Sequence, residues 1–558
     1  MKGTLGSGKL LVSAETSLAL DAEAQAEWGF NTFALVEAAG RNCAQVFVDS
    51  FPDFFQADYS SRGRGGSIRP RVTVAAGSGN NGADAMVMLR YWILAGLVQA
   101  SSSALVVNRM PRSGETGPRA ELIKSLKKMK VPVLVWDGDE GEGAGRASDD
   151  ILAQSDIIVD GISGTGLKGP LRGTSLEMVR AINSYKFPRQ PFVVSIDLPS
   201  GNSDHWKQGM PMIKADLTLA IEPRKYCLYT PAARTYAGVI LPVDGIFPSG
   251  IFASYEGAEF LEWESVREKI SKIRPDVYKN ERGTVEIRAG SPGTTGAALI
   301  AARGAQAAGA GLVRLVADDE IYPVLASRFG GIMVIPAGKQ AAEAEGAVSA
   351  MRGSSPDAIL LGPGWGVKPE RIPVLERALA LEKQGIPLIL DADAIALGRD
   401  KVFSGNVILT PHPGEFSKYS GIDKEELLCR PAPILLEFAR KRKAVILFKG
   451  HVMTIAAPDG RLGVVDGMVP GLAAGGSGDL LAGFCAAIAA RMVKGCGSFD
   501  GYSCAAAAAT LLIASGRSDK LNTRFTDPLE LASKAADLAG EAWLVPWGNA
   551  QAGMGLHE

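Results

Sequence analysis

Cysteine and histidine are scarce in this chain of 558 residues, and each shortage excludes a kind of site. Only six cysteines occur, and no two of them form a CxxC pair. This usage indicates free thiols in a reducing compartment rather than a disulfide framework. With only four histidines, a zinc site built from histidine is not expected.

An excess of charge of one sign is also missing. The chain has 59 basic and 60 acidic residues, so no overall field attracts nucleic acid or anionic lipid. The amino-terminal segment lacks the apolar core of a signal peptide. The longest apolar run, Ala505 to Ala514, is too short to span a bilayer. We therefore expect a cytoplasmic homo-oligomer that acts on small molecules and binds neither nucleic acid nor membrane.

Glycine, by contrast, is abundant. The 66 glycines exceed the usual share of about 7%, and they indicate many tight turns and close approaches of backbone to ligand. The hydrophobic share of 46% is ordinary for a globular protein. The length favours three or four domains, or two large ones.

Short β-branched segments alternate with helical stretches in both halves, which predicts an α/β protein with parallel sheets. In the first half, two helices precede strands predicted at Arg71–Ala76, Ala104–Asn108, Val133–Trp136, Ile157–Asp160, Phe192–Asp197, Leu217–Ile221 and Val239–Val243. In the second half, strands are predicted at Thr284–Ala289, Leu312–Ala317, Ala358–Leu361, Leu388–Asp391, Val407–Thr410 and Val445–Lys449, before a helical carboxyl end. A charged, strand-poor stretch from Ser249 to Tyr278 separates the halves, so we divide the chain into domains 1–250 and 251–558.

Three strand ends in the first half have the composition of ligand loops. The turn GSGNNG, Gly77 to Gly82, follows one strand and opens a helix, so its backbone N–H groups can face a phosphate. The next strand ends in Asn108 instead of the acidic residue of a plain NAD-binding fold, which disfavours a dehydrogenase. Asp160 and Asp197 end two further strands. Because ligands bind at the carboxyl ends of parallel strands, these loops mark a candidate site.

Four segments together resemble the YjeF amino-terminal family: LVEAAG (Leu35–Gly40), GSGNNGAD (Gly77–Asp84), VDGISGTGLKG (Val159–Gly169) and SIDLPSG (Ser195–Gly201). This resemblance covers about residues 10 to 250. It implies a Rossmann-like fold and an NAD(P)H-hydrate epimerase, which is an isomerase.

The resemblance also implies roles for single residues. Substrate would be bound by Asn80, Asn81, Gly82, Ala83, Asp84, Gly164, Thr165, Gly166, Leu167, Lys168, Gly169, Pro170 and Asp197. Asp197 would be the acid/base group, assisted by Lys168, because inverting a carbon that bears a hydroxyl requires proton transfer. Asn81, Asp160 and Ser200 would supply oxygen ligands to a K⁺ ion.

The chain departs from the family at two positions of the GNNGGDG motif, where it has Ala83 and Ala85. We expect each to add a methyl group where backbone approaches substrate. A first domain that binds nucleotide or protein without catalysis is therefore the alternative.

The segment PGLAAGGSGDLLAG, Pro470 to Gly483, is the strongest motif of the second half. Its glycines let consecutive backbone N–H groups form an anion-binding nest in front of a helix. Asp479 at the start of that helix can accept a proton from a substrate hydroxyl while the nest holds a phosphoryl group. The alternative is that Asp479 only begins the helix, which leaves the glycine cluster unexplained.

Other strand-end loops of this half point to the same site. His412 lies between two prolines, an exposed and rigid position suited to ligand contact, and Lys449 ends the strand before Gly450. The acidic residues of DADAI, Asp391 to Ile395, either support Mg²⁺ or cap turns.

With GSPGTTGAALIAARGAQAAGAGLV (Gly290–Val313), the loops LLGPGWG (Leu360–Gly366), LTPHPGEF (Leu409–Phe416) and ILFKGHVMTI (Ile446–Ile455) resemble the YjeF carboxy-terminal family. The match runs from about Lys279 to Leu538. It implies a ribokinase-like α/β domain and an ADP- or ATP-dependent NAD(P)H-hydrate dehydratase, which is a lyase, assisted by Mg²⁺.

By motif position, the hydrated nucleotide would contact Ala297, Gly364, His412 and Asp479, with Asp479 catalytic. The adenine nucleotide, ADP or ATP, would bind Lys449, Gly450, His451, Val452, Met453, Gly475, Gly476, Ser477 and Gly478. Ser477 stands where the family commonly has threonine, so the hydroxyl is kept. The second alternative for the whole chain is a ribokinase-like small-molecule kinase whose first domain regulates it.

Overall fold

A computed structural model describes residues 9–55, 69–136, 144–185, 190–338, 355–517 and 527–545. The chain forms two compact units, Met1–Glu259 and Phe260–Glu558. In the part of the chain described, no helix is both long enough and apolar enough to cross a membrane. The six cysteines are free thiols, and all but Cys496 are buried.

The strands of the first unit are β1 (Leu10–Val12), β2 (Val72–Ala76), β3 (Ser103–Val107), β4 (Val133–Val135), β5 (Ile157–Gly161), β6 (Phe192–Ile196), β7 (Leu217–Ile221), β8 (Arg224–Lys225), β9 (Val239–Val243) and β10 (Ala258–Phe260). The helices are α1 (Ala14–Ala26), α2 (Thr32–Ser50), α3 (Asn80–Leu94), α4 (Pro118–Lys128), α5 (Ala144–Ala153) and α6 (Gly173–Ser184).

Seven of these strands form a parallel sheet in the order β4-β3-β2-β5-β6-β7-β9. The order runs outward in both directions from the β2–β5 pair, so the connections after these two strands leave on opposite sides, which opens a crevice at their carboxyl ends. Strands β2 and β5 are buried along their whole length. The Rossmann-like prediction is thereby confirmed.

Local caps determine where the first helices begin. The side chain of Ser13 accepts a hydrogen bond from the Thr16 N–H before α1, and that of Asn31 accepts one from Ala34 before α2. Helix α3 begins after Gly79 with no side-chain cap, so its first N–H groups stay available to a ligand.

The strands of the second unit are β11 (Thr284–Arg288), β12 (Leu312–Ala317), β13 (Met333–Pro336), β14 (Ala358–Leu361), β15 (Leu388–Leu390), β16 (Val407–Leu409), β17 (Val445–Phe448), β18 (Val452–Ala456) and β19 (Leu462–Asp466). The helices are α7 (Trp263–Val266), α8 (Thr295–Ala307), α9 (Tyr322–Ala326), α10 (Ile372–Glu382), α11 (Asp393–Leu397), α12 (Pro413–Ser420), α13 (Lys424–Cys429), α14 (Pro431–Arg442), α15 (Ser477–Cys496), α16 (Gly501–Gly516) and α17 (Pro528–Trp543).

Strands β13-β12-β11-β14-β15-β16-β17 are parallel neighbours in that order, and β18 and β19 continue the sheet antiparallel. Helices α8 and α15 pack closely because two glycines face the partner helix. A Cβ atom on Gly304 would lie 2.6 Å from the Leu480 carbonyl oxygen, and one on Gly483 would lie 2.2 Å from that of Ala301. This contact fixes the start of α15, where the glycine-rich loop ends.

The stretch from Ser249 to Tyr278 is poor in strands, as expected, and contains the 3-residue strand β10. Two other elements differ from the prediction. The segment Ile446–Ile455 is two strands joined by a short loop, because β18 turns back to pair with β17. Helix α3 begins at Asn80, inside the turn Gly77 to Gly82 that was expected to precede it. Asparagine and glycine are weak helix formers, but the sheet and the neighbouring helices hold this turn.

Candidate functional site

A cavity of about 820 Å³ lies in the first unit at the carboxyl ends of β2, β5 and β6. Its wall includes residues from α1, the amino end of α3 and the loop after β5. This is the crevice where an open parallel sheet binds its ligands.

Most of the substrate residues predicted for this half line the cavity: Asn80, Asn81, Gly82, Asp84, Gly164, Thr165, Gly166, Leu167, Lys168, Pro170 and Asp197. Gly169 does not line the cavity. Ala83 does not line it either, because its side chain is fully buried in the hydrophobic core.

Ala85 does not place its methyl group near substrate, as the sequence had led us to expect. Its side chain is also fully buried, and a Cβ atom on Gly161 would lie 2.8 Å from the Ala85 Cβ. Both alanines therefore pack α3 inside the unit, and neither methyl group narrows the cavity. These two alanines therefore give no reason to expect a first domain without catalytic activity.

Asp197, at the carboxyl end of β6, forms a buried ion pair. Lys225 Nζ donates to Asp197 Oδ1 at 2.7 Å and to the Ile221 carbonyl oxygen at 3.1 Å. The lysine side chain is only 2% exposed. The backbone of Asp197 has a φ of 63°, an uncommon conformation for a residue with a Cβ atom and one that recurs at functional sites.

Three more carboxyl groups line the same cavity, those of Asp21, Asp84 and Glu222. Burial raises the pKa of Asp84 well above its ordinary value, and the charges of Asp197 and Asp21 act in the same direction. The Asp84 Oδ1 is buried and has no hydrogen-bond partner among the described residues. Burial also raises the pKa of Asp21 to about 6.

The three predicted K⁺ ligands lie around the end of β5. The Ser200 hydroxyl donates to Asp160 Oδ1 at 2.5 Å, and Asn81 Nδ2 donates to the Ser163 carbonyl oxygen at 2.9 Å. The Ser200 hydroxyl lies 3.2 Å from that same carbonyl oxygen. Asp160 is fully buried, and burial raises its pKa although Ser200 and other donors act to lower it. The four groups bring together carboxylate, hydroxyl, amide and carbonyl oxygens.

In the second unit, the loop GGSGD leads into α15. Gly476 has a φ of 98°, which requires glycine. The Ser477 hydroxyl donates to the Ala474 carbonyl oxygen at 3.1 Å, which closes the turn. Within the described residues, the N–H groups of Gly475, Gly476, Gly478 and Asp479 make no hydrogen bond. These N–H groups are therefore available to an anion.

Asp479 lies half-buried beside these N–H groups. Burial raises its pKa to about 6, the negative charges of Asp391 and Glu415 act in the same direction, and Lys449 opposes them. A carboxyl group with this pKa exchanges protons readily near neutral pH.

Lys449 connects the loop to the sheet. Its Nζ donates to Asp391 Oδ1 at 2.6 Å, and the Thr410 hydroxyl donates to the same oxygen at 2.7 Å. A Cβ atom on Gly478 would lie 3.2 Å from Lys449 Nζ. Burial acts to lower the pKa of Lys449, but Asp391 and Glu415 outweigh it, so the pKa is raised and the side chain stays charged.

The two acidic residues of DADAI have different partners. Asp391 is buried and pairs with Lys449, as described above. Asp393 Oδ2 accepts a hydrogen bond from the Gly366 N–H at 2.7 Å, so it holds the loop after β14. Ala392 between them has a φ of 45°.

Gly364 and Ala297 are neighbours, as two residues of one predicted substrate site require. A Cβ atom on Gly364 would lie 2.9 Å from the Ala297 Cβ. The Thr294 hydroxyl donates to the Gly364 carbonyl oxygen at 2.7 Å, so α8 and the loop after β14 are joined at this point.

His412 caps α12 with its own ring. Its Nδ1 accepts hydrogen bonds from the N–H groups of Gly414 and Glu415, and Glu415 accepts one from the His412 N–H. An accepting Nδ1 places the ring proton on Nε2. The exposed ring therefore presents an N–H donor in a fixed orientation.

The predicted nucleotide segment divides into exposed and buried residues. Gly450 and His451 are exposed, whereas Val452 and Met453 begin β18 with buried side chains. The expectation that Val452 and Met453 contact the nucleotide is therefore limited to their backbone groups.

Comparison with known proteins gives matches for both halves. Residues 32–227 match the family model described as YjeF-related protein N-terminus, and residues 285–536 match the model described as NAD(P)H-hydrate dehydratase. A bifunctional NAD(P)H-hydrate repair enzyme of Moorella thermoacetica is 30% identical, over 87% of this chain and 88% of that protein. The chain belongs to the family of bifunctional NAD(P)H-hydrate repair enzymes.

Two further proteins are similar. The repair enzyme of Thermofilum pendens is 30% identical over 84% of this chain and 85% of its own length. The crystal structure of an ADP/ATP-dependent NAD(P)H-hydrate dehydratase from Bacillus subtilis, co-crystallised with ATP and Mg²⁺, is 26% identical over 50% of this chain and 99% of that one, with a TM-score of 0.43.

Sequence reasoning missed several residues of both sites in this member of the repair family. Asp21, Glu222 and Lys225 line the first cavity, and Thr410 and Glu415 act on the Lys449 pair. Glu415 could have been found from the sequence, because it lies in the strand-end loop that contains His412. Lys225 had none, because only the folded sheet brings it to Asp197.

Proposed function

We propose that the first unit interconverts the R and S hydrates of NADH and NADPH, and that the second unit converts the S hydrate back to the dinucleotide with ADP or ATP. Membership in the repair family supports both reactions. The observation that carries the second is the half-buried Asp479 carboxyl beside four N–H groups that have no partner among the described residues.

In the dehydratase reaction, Asp479 takes the proton from the hydroxyl of the hydrate. The oxygen then forms a bond to the terminal phosphorus of the adenine nucleotide, and the bond to the leaving phosphate oxygen breaks. The loop N–H groups of Gly475, Gly476 and Gly478 hold the phosphoryl group during transfer. Phosphate then leaves the carbon far more readily than hydroxide does, while the lone pair of the ring nitrogen forms a C=N bond. Loss of a proton from the neighbouring ring carbon returns the electrons to nitrogen and restores the C=C double bond.

Other residues of the second unit bind and orient. Lys449 provides a fixed positive charge next to the loop for the nucleotide phosphates, with the backbone from Gly450 to Met453 beside it. His412 offers its Nε2 proton to the hydrate, and the joined Gly364 and Ala297 form the opposite contact. We assign Ser477 to closing the loop, since its hydroxyl bonds the Ala474 carbonyl oxygen.

A Mg²⁺ ion would reduce the negative charge on the phosphates. The described residues hold no group of three or more candidate side-chain ligands. This suits Mg²⁺, which commonly binds through substrate phosphates, water and one or two carboxylates. Asp391 and Glu415 are the carboxylates whose negative charges act on Asp479, so they would be the side chains to hold the ion.

In the epimerase reaction, Asp197 accepts and returns the proton. Its buried ion pair with Lys225 holds the carboxyl group in place at the carboxyl end of β6. Lys168, which lines the same cavity, assists by binding substrate.

The oxygen cluster of Asn81, Asp160 and Ser200 fits a K⁺ ion. Hard cations prefer oxygen ligands, and a cation would offset the cost of keeping the Asp160 carboxylate charged in a buried position. These residues would hold the ion, which would supply positive charge behind the loop Gly164 to Pro170.

The test is to incubate the protein with purified S hydrate of NADPH and with ADP or ATP, while following the absorbance of restored NADPH. Recovery that needs the adenine nucleotide supports the dehydratase. Recovery from R hydrate at a rate above buffer supports the epimerase. Nucleotide turnover with another alcohol and no NADPH recovery would instead support a small-molecule kinase.

We assign the epimerase to the first unit and the dehydratase to the second. The homo-oligomer and the cytoplasmic location stay predictions. Gel filtration with light scattering tests the first, and fractionation of cells tests the second.

A further inference from the structure

Asp21 lies on α1, before the start of the matched family segment at residue 32, and it lines the cavity of the first unit. Helix α1 is amphipathic only weakly, but it buries Leu20 and Ala24. The burial of Leu20 and Ala24 fixes the orientation of α1 and therefore the side of the helix on which Asp21 lies. Ser17, Leu18 and Gln25 of the same helix also line the cavity, so this face of α1 forms part of its wall.

The Asp21 carboxyl makes no side-chain hydrogen bond within the ranges that the structure describes, and it is half-buried. It is close enough to Asp197 and Lys225 for their charges to act on it: Asp197 raises its pKa and Lys225 lowers it. Asp21 therefore differs from Asp197, whose oxygen is held by an ammonium group 2.7 Å away.

We propose that Asp21 is a second catalytic acid–base residue of the epimerase, which exchanges a proton with the substrate in alternation with Asp197. This assignment rests on the proposed epimerase function and names a second residue that exchanges a proton with the substrate. Two carboxyl groups in unlike surroundings commonly divide acid and base roles in this way.

The step balances without another reactant. Protonated Asp21 gives its proton to the hydroxyl oxygen of the hydrate, the C–O bond breaks, and water leaves with the electron pair. The lone pair of the ring nitrogen forms a C=N bond. Water then adds to the other face, the π electrons return to nitrogen, and the proton released from that water goes to Asp197.

The remaining titratable and charged groups of the cavity are Asp84, Lys168, Arg172, Glu222 and Lys225. Asp84 is an unsuitable exchanger, because its Oδ1 is buried and has no hydrogen-bond partner among the described residues, and because burial raises its pKa well above its ordinary value. Glu222 accepts hydrogen bonds from the N–H groups of Ile246 and Phe247. Among the described residues that line the cavity, Asp21 has the carboxyl group that is only half-buried and makes no side-chain hydrogen bond.

The test compares the full-length protein with Asp21→Asn, using R hydrate of NADPH and chromatographic separation of the two hydrates. General acid–base catalysis contributes about 100-fold or more, so we expect kcat to fall about 100-fold with little change in KM. In the wild type, kcat/KM falls as the pH rises above about 6. This descending limb of the pH–rate profile is absent from the variant. A purely structural role would lower the rate without removing the limb.

Glu23→Gln is the matched control. Glu23 is on the same helix and accepts a hydrogen bond from the Tyr255 hydroxyl, which glutamine also accepts. We expect this variant to keep the rate and the limb. Dehydration of S hydrate with ATP stays unchanged in both variants.

An Asp21→Asn protein with a rate within about twofold of the wild type and the same pH profile overturns the assignment. If that variant does not fold, Asp21→Glu replaces it: retention of the titrating limb supports the assignment, and a folded but inactive variant overturns it. A wild-type protein that does not interconvert the hydrates contradicts the proposed epimerase itself, which is a different result.

Discussion

Lys449 and Asp391 form a buried ion pair of 2.6 Å at the carboxyl ends of β17 and β15, the strands on either side of β16 in the second sheet. The first unit has a pair of the same kind, Lys225 and Asp197, at 2.7 Å. In both, the backbone at or next to the aspartate has a positive φ, 63° at Asp197 and 45° at Ala392. Each site thus pairs a lysine with an aspartate near further carboxyl groups, at a strand end held in an uncommon conformation.

The Lys449 pair predicts a loss of both binding and stability in Lys449→Met. The variant removes the charge next to the nucleotide loop, so we expect the Kd for ADP to rise at least about tenfold. It also leaves Asp391 buried without its partner, which costs about 3 kcal/mol of unfolding free energy. Calorimetric titration with ADP and urea denaturation measure the two effects.

Lys494→Met is the control for this prediction. Lys494 pairs with Asp357 at 3.3 Å with its side chain 42% exposed, and exposed pairs contribute about 0–1 kcal/mol. Adding Asp391→Asn to Lys449→Met removes the unpaired charge, so stability recovers while nucleotide affinity does not. A double variant that recovers affinity would show that Lys449 does not bind phosphate.

The raised pKa of Asp479 predicts how dehydration depends on pH. Asp479 accepts a proton only when ionised, so kcat/KM falls about tenfold for each pH unit below about 6. In Asp391→Asn, a charge that raises this pKa is lost, and the limb moves to lower pH. Titration of the nucleotide phosphates does not depend on Asp391, so a limb unmoved in this variant would contradict the assignment.

The same shift predicts a change in stability. Because the folded-state pKa of Asp479 lies above its ordinary value, the folded state binds a proton more tightly than the unfolded state does. Stability therefore falls as the pH rises from about 4 to about 6 and stays lower above it. We expect Asp479→Asn to melt a few degrees above the wild type at pH 8, with the difference vanishing below pH 4. Equal melting temperatures at pH 8 would contradict this.

Gly364→Ala tests the contact between the loop after β14 and α8. Gly364 has a φ of 56°, and an added Cβ would lie 2.9 Å from that of Ala297. We expect the KM for S hydrate to rise at least about tenfold, with about 1–3 kcal/mol of lost stability. Gly385→Ala is the control, since it has a φ of 95° but no atom within 4 Å of the added carbon. It shares the backbone strain, so an equal KM change in both variants would count against the contact.

Asp197→Asn separates the two reactions. Loss of the carboxylate removes the proton acceptor, so epimerisation of R hydrate falls at least about 100-fold. Dehydration of S hydrate with ATP keeps its rate, because Asp479 belongs to the other unit. Both rates are measured in the same protein, and a variant that loses both would show that the two activities depend on one another.

Strand positions were predictable from sequence where the strand was buried on both faces. Leu217–Ile221, Leu312–Ala317 and Ala358–Leu361 have the predicted bounds, because a run of β-branched and aliphatic residues between polar turns fits little else. Strand β18 was missed since its partner is β17, and the turn between them looked like one ligand loop.

Side-chain direction was harder to predict. The sequence places Ala83 and Ala85 in a glycine-rich ligand motif, but the helix turns both into the core, and only its first turn faces the cavity. The residues that the family pattern carries, such as Asp197 and Asp479, were found. Lys225 is 28 residues from Asp197 in the chain and pairs with it only through packing. Asp21, still farther away in the chain, reaches the same cavity in the same way.

The measurement that tests the central claim most directly is single-turnover dehydration by Asp479→Asn. S hydrate of NADPH and ATP are mixed with excess enzyme, and absorbance reports NADPH while ATP affinity is measured separately. Asp527→Asn is the control, because Asp527 caps α17 through the Leu529 N–H and asparagine caps equally well. We predict that Asp479→Asn binds ATP like the wild type but forms NADPH at least about 1,000-fold more slowly, while Asp527→Asn is unchanged. An Asp479→Asn protein that forms NADPH at the wild-type rate would contradict the account.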